Sequence, residues 1–149
     1  MHLTLHFIGD VDEAGFAAVK SALMGVAASP FEIHLEAMGQ FPVKGKPRVL
    51  WVGLKAPSAL FTLHQSILAL LTLLGLPPPD HPFSPHITLA RFKNPPLSET
   101  VRPYFDQHAA FKTELFAVSS FILFSSTLTP HGSIYHREAV YPLSAPHDT

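Results

Sequence analysis

The sequence predicts an α+β fold of two small lobes, with antiparallel or mixed sheets, helices outside and a cleft between. Three observations predict it. Strand-like and helix-like segments alternate in two rounds along the chain. The tetrapeptide His-x-Thr-Leu occurs twice, as His2-Leu3-Thr4-Leu5 and as His86-Ile87-Thr88-Leu89. The 149 residues, 47% hydrophobic and 14% charged, suit a single domain with a sizeable core.

Residues 2–8 alternate in polarity and are rich in β-formers, which predicts a strand ended by Gly9-Asp10. Asp10 or Asp12 can cap a helix, with Glu13 favourably placed in its first turn. Phe16, Val19, Leu23 and Val26 recur at helical spacing, so residues 13–27 read as an amphipathic helix stopped by Ser29-Pro30. Residues 31–37 are apolar on odd positions, a half-buried strand with a wet face on which His34 reads as solvated. Residues 39–46 read as a loop, and the more uniformly apolar 48–54 as a central strand.

Leu60, Leu63, Ile67, Leu70, Leu71 and Leu74 predict a second helix over 58–74, closed by Gly75, with His64 on its surface. Leu76-Pro77-Pro78-Pro79 cannot be helical and leads, extended, toward the second motif strand. A short helix is expected within 98–107. Residues 113–128 read as one long or bulged strand, 129–133 as a turn and 134–143 as its hairpin partner. The last residues, 144–149, read as a loose tail.

Composition removes several function classes. A formal net charge of -1 leaves no basic footprint for a general nucleic-acid binder, so any RNA contact should be local. No cysteine is present, which excludes disulfides, zinc–thiolate sites and thiol catalysis and fits a reducing cytoplasm. The first residues alternate instead of forming a leader, and the apolar run 67–76 is too short for a bilayer.

The duplicated motif carries the chemistry. Alternation puts His2 and Thr4 on one strand face and Leu3 and Leu5 on the other; His86 and Thr88 are likewise opposite Ile87 and Leu89. Each copy can bury its aliphatic side and present an imidazole beside a hydroxyl. A pair of imidazoles can serve as base and acid in one reaction at neutral pH. A threonine hydroxyl can donate to a phosphate oxygen as charge builds there. One His-x-Thr is a chance event in a strand; two with matching leucines are a specific signal.

These residues resemble the two-histidine phosphoesterase superfamily, and within it the RNA 2',3'-cyclic phosphodiesterases, also called 2'-5' RNA ligases. The likeness is carried by His2-Leu3-Thr4-Leu5 with Phe7-Ile8-Gly9, and by Ser84-Pro85-His86-Ile87-Thr88-Leu89-Ala90-Arg91. Gln40-Phe41-Pro42 with Pro47 to Gly53, and residues 121–126 followed by Tyr135, resemble its middle strand and C-terminal hairpin.

The resemblance implies hydrolysis of a terminal 2',3'-cyclic phosphate to a 2'-phosphate, with reversible 2'-5' joining of RNA ends as a side activity. It implies His86 as the proton acceptor that activates water, and His2 as the proton donor to the leaving oxygen. Thr4 and Thr88 match the phosphate-binding hydroxyls, and Arg91 the arginine that follows the second motif. In an ideal strand Arg91 would point away from His86, so the strand must end or bulge for it to contribute.

The substrates implied are RNA ends or nucleoside 2',3'-cyclic phosphates. No cofactor, no metal and no membrane are implied, and a monomer is expected. Family members carry a strand and a helix before the first motif. The expectation is therefore a single domain over 1–149 whose first lobe lacks both, with His2 beside a chain end.

Two other classes remain open on the sequence. One is a non-catalytic nucleotide- or RNA-binding module using the same groove. The other is a metal hydrolase built on His2, His6 or His34 with Glu32 or Glu36, whose spacing is not diagnostic of a metal site.

Overall fold

The computed structural model describes residues 2–43, 46–55, 57–91, 103, 107 and 113–144. Within these the fold is α+β and every strand pair with a described register is antiparallel. The chain divides into two compact units. The first comprises Met1–Phe7, Glu32–Pro57 and His81–Phe116; the second comprises Ile8–Phe31, Ser58–Asp80 and Ala117–Thr149.

The first unit is built on three adjacent strands in the order β3-β2-β1. Here β1 is Phe31–Val43, β2 Lys46–Lys55, β3 His86–Arg91 and β4 Phe116–Val118. The loop expected over 39–46 is largely strand. Pro42 pairs with Pro47 and Val43 with Lys46, so β1 and β2 form one long hairpin. Gly39, Pro42 and Pro47 read as breakers locally, but cross-strand pairing prevails over their weak strand propensity. Thr113 reinforces β1: its backbone N–H donates to the Leu35 carbonyl at 3.0 Å, and its hydroxyl accepts from the Leu35 N–H at 2.8 Å. Ile33, Val49 and Val52 are buried in this unit.

The second unit holds α1 (Glu13–Ala22) continued by a 3-10 turn (Leu23–Gly25), α2 (Ser58–Leu73), and a hairpin of β5 (Ser120–Thr129) with β6 (Gly132–Pro142). Asp12 caps α1, its carboxylate accepting from the Gly15 N–H at 2.7 Å. The helix buries Val19, and Leu23 is buried in the turn that follows. Gly75, at φ +82°, closes α2. Its N–H donates to the Thr72 carbonyl and that of Leu76 to the Leu71 carbonyl, the paired bonds of a left-handed helix stop.

Leu60, Leu63, Ile67 and Leu71 are buried as expected, but Leu74 is 40% exposed. His64, expected on the helix surface, is buried instead. It follows Leu60 by four residues and precedes Ile67 by three, so it lies within the apolar stripe. Phe121 and Tyr141 stack at 4.9 Å between ring centroids, and the Tyr141 hydroxyl donates to the Lys20 carbonyl at 2.7 Å.

The strand expected over 113–128 is divided into β4 and β5. The helix expected within 98–107 and the tail 145–149 lie outside the described residues, apart from 103 and 107. Among the described residues no helix is long and apolar enough to cross a membrane.

Candidate active site

Both His-x-Thr-Leu copies lie in the first unit. The second is β3. Antiparallel to β2, it pairs Thr88 with Trp51, Ile87 with Val52 and His86 with Gly53. The first copy is not the strand that its alternation predicts. It meets β3 at one antiparallel bridge, Leu3 with Ile87. Alternation is a local property of the sequence, whereas a ladder needs a partner along its length.

That bridge fixes the relation of the two copies. Residues directly opposite in a sheet share a face. Leu3, Ile87 and Val52 therefore make one aliphatic row, and Val52 is 2% exposed. One residue to either side, His2 counts against Thr88 and Thr4 against His86, on the other face. Each histidine of one copy thus stands across from the threonine of the other. The two histidine positions are diagonal neighbours, roughly 7–8 Å apart between backbones in such a ladder. His2 and Thr4 are exposed, whereas His86 and Thr88 are half-buried.

The His86 ring is fixed from within its own segment. Its Nδ1 lies 2.7 Å from the Ser84 carbonyl oxygen. A carbonyl only accepts, so Nδ1 carries the hydrogen, and in the neutral ring the lone pair is on Nε2. The Trp51 ring lies 6.3 Å from that of His86 between centroids, tilted by 59°. Trp51 lies in the strand that the sequence reads as central. Its parity with Gly53 in β2, and its pairing with Thr88, place it on the histidine face and only half-bury it.

β3 carries a strand irregularity just before Arg91. Trp51 pairs with Thr88 but the neighbouring Leu50 pairs with Ala90, which leaves Leu89 as an extra residue in β3. Arg91 then pairs with Val49. Counted through β2, position 91 falls in step with Thr88 and His86 instead of with Ile87. The Arg91 side chain lies outside the described residues.

His34 is not the solvated residue that the strand pattern suggests. Its Nε2 lies 3.0 Å from Glu36 Oε2, and its side chain is only 13% exposed. Among the described residues no three His, Asp or Glu side chains gather as a metal-binding group. Burial lowers the pKa of His6 below its ordinary value of 6.5. Burial likewise raises that of Tyr141 in the second unit.

The bridge thus sets the His and Thr positions of both copies on one face of antiparallel segments. The sequence profile of the 2'-5' RNA ligase superfamily matches residues 1–130, and the chain belongs to that superfamily. Its relatives include the RNA 2',3'-cyclic phosphodiesterase of Archaeoglobus fulgidus, 38% identical over 137 residues, covering 91% of this chain and 75% of that protein. The enzyme of the same name from Aeropyrum pernix is 35% identical over 139 residues, covering 90% of this chain and 77% of that one. Among solved structures, TT0787 of Thermus thermophilus matches with a TM-score of 0.79 at 29% identity, over 98% of this chain and 79% of that one. The apo form of E. coli LigT matches with a TM-score of 0.72 at 25% identity, over 97% and 76%.

Proposed function

We propose that this protein is a metal-independent RNA 2',3'-cyclic phosphodiesterase that opens the cyclic phosphate to a 2'-phosphate by paired-histidine acid–base catalysis. The observation that carries this reading is the bridge between Leu3 and Ile87, which turns the two His-x-Thr copies antiparallel beside one another. Relatives named for this activity, aligned over most of the chain, support the same class of substrate.

In this mechanism water attacks phosphorus in line with the bond to O3'. His86 accepts the water proton through Nε2; the hydrogen bond from its Nδ1 to the Ser84 carbonyl supports that role. His2, as the imidazolium, gives its proton to O3' as the P–O3' bond breaks. The new P–O bond comes from water, and phosphate remains on O2'. The hydroxyls of Thr4 and Thr88 donate to the non-bridging oxygens, where charge accumulates in the transition state. The Arg91 guanidinium pairs with the same charge. A 5'-hydroxyl of a second RNA in place of water yields a 2'-5' bond by the same proton transfers, and the reverse of that step regenerates the ends.

The test is turnover of adenosine 2',3'-cyclic phosphate in the presence of EDTA, with products separated as the 2'- and 3'-phosphates. The 2'-phosphate is expected from the wild type, with turnover lost in both His2→Ala and His86→Ala. Binding without turnover would identify a nucleotide-binding module instead, and loss of activity in EDTA would identify a metal hydrolase.

A further inference from the structure

Among the described residues, the hairpin of the second unit leaves one edge of β6 unpaired. On its other edge β6 pairs Tyr141 with Phe121 and Ala139 with Leu123 of β5. Just beyond, the Leu143 N–H donates to the Ser119 carbonyl at 2.8 Å. In an antiparallel ladder, residues that bond across alternate with residues that do not. Residues 139, 141 and 143 therefore turn their backbone groups to β5, and Val140 turns its N–H and C=O to the free edge. Pro142 lacks an N–H and presents only its carbonyl there.

A groove of about 330 Å³ runs along this edge. One wall is residues 139–142 of β6; the other is Lys20 of α1 with Leu23 and Met24 of the 3-10 turn. Successive strand side chains point to opposite faces, so four consecutive residues line one groove only along the edge of the strand. Met24 is 77% exposed and Val140 52%. An open edge flanked by apolar side chains is a template for another strand.

We propose that a second copy of this chain occupies the edge, pairing β6 with β6 antiparallel about a two-fold axis at Val140. Such an edge is complementary to itself. The Val140 N–H of each copy donates to the Val140 carbonyl of the other. Two hairpins then make one four-stranded sheet, and the protein is a dimer in place of the expected monomer. The register also matches charge. With Val140 opposite itself, Pro142 falls opposite Glu138 of the second copy. Lys20 lines the groove with Pro142. Glu138 accepts from the Ser125 hydroxyl at 2.6 Å, and Ser125 shares a strand face with Phe121 and so with Tyr141. That is the face toward α1, where the Tyr141 hydroxyl meets the Lys20 carbonyl. A two-fold axis perpendicular to the sheet keeps its faces, so Lys20 and Glu138 of the second copy lie on the same side, twice in each dimer.

The test is sedimentation equilibrium of the full chain from about 1 μM to about 1 mM, the range in which a small interface associates. The wild type is expected to dimerise within it, and the Val140 amide to exchange with deuterium more slowly as the dimer forms. Lys20→Glu changes an exposed side chain and reverses two ion pairs, so it should weaken the dimer about ten-fold. Adding Glu138→Lys should restore it. Val140→Pro removes the outward donor and leaves the bonds to β5 in place, so it should abolish dimerisation. A wild type that is monomeric at every concentration would overturn the proposal and leave the edge to a strand of another protein. A dimer insensitive to both Lys20→Glu and Val140→Pro would put the contact elsewhere and equally overturn it.

Discussion

The double substitution Leu3→Ala with Leu5→Ala tests how His2 is held. The first motif copy meets β3 at a single bridge. Among the described residues no ladder extends that bridge, so the aliphatic side of the segment carries much of its docking. Leu3 and Leu5 are each half-buried. The two changes remove six carbons. At half of the ~0.8 kcal/mol that each buried carbon contributes, the segment loses ~2.4 kcal/mol of docking free energy. That is roughly a fifty-fold shift toward the undocked segment, at 1.4 kcal/mol per factor of ten. Hydrogen exchange at the amides of residues 2–5, followed by mass spectrometry, reports the opening directly. On a 2',3'-cyclic nucleotide, kcat/KM should fall by at least about ten-fold once the docked state is no longer dominant. A segment shown open by exchange, with wild-type turnover, would refute the idea that docking on Ile87 positions the acid.

Three further outcomes are expected. Leu63 is 1% exposed, so Leu63→Ala should lower the unfolding free energy in urea by about 3 kcal/mol; little or no change would mean that the α2 stripe is not core. His6 has its pKa lowered from 6.5 by burial, so the unfolded chain takes up this proton more readily than the folded one. The stability His6 contributes is full above the unfolded pKa and is lost as pH falls through the lowered folded value. Denaturation midpoints measured down through this range should fall less steeply in His6→Gln than in the wild type; parallel slopes would contradict this. The pH dependence of kcat/KM should be bell-shaped, because one imidazole must be neutral while the other is charged, and a profile flat between about pH 5 and 8 would count against the mechanism.

Much of the fold is legible because its signals are local. The Asp12 cap, the stripe from Leu60 to Leu71 and the Gly75 stop are each written within one or two helical turns. The errors arise where pairing across the chain decides. Alternation over residues 2–8 reads as strand, yet among the described residues only Leu3 finds a bridging partner. The breakers around Gly39 and Pro42 read as loop, yet β2 draws them into its hairpin. His64 fits the apolar stripe by spacing, and only its polarity hides that. At the site, the paired His-x-Thr motif is visible from residue order alone. The extra residue at Leu89, which returns Arg91 to the parity of His86, is not visible there, because a bulge is a property of two strands. The His34–Glu36 contact is hidden for a similar reason, since a strand pattern gives faces and not partners.

The most direct test of two imidazoles acting on one phosphorus is a crystal structure of the protein with adenosine 2'-phosphate. Phosphate oxygens within about 3 Å of a ring nitrogen of both His2 and His86 are the predicted result. A phosphate that touches only one of the two rings, or sits away from both, would contradict it.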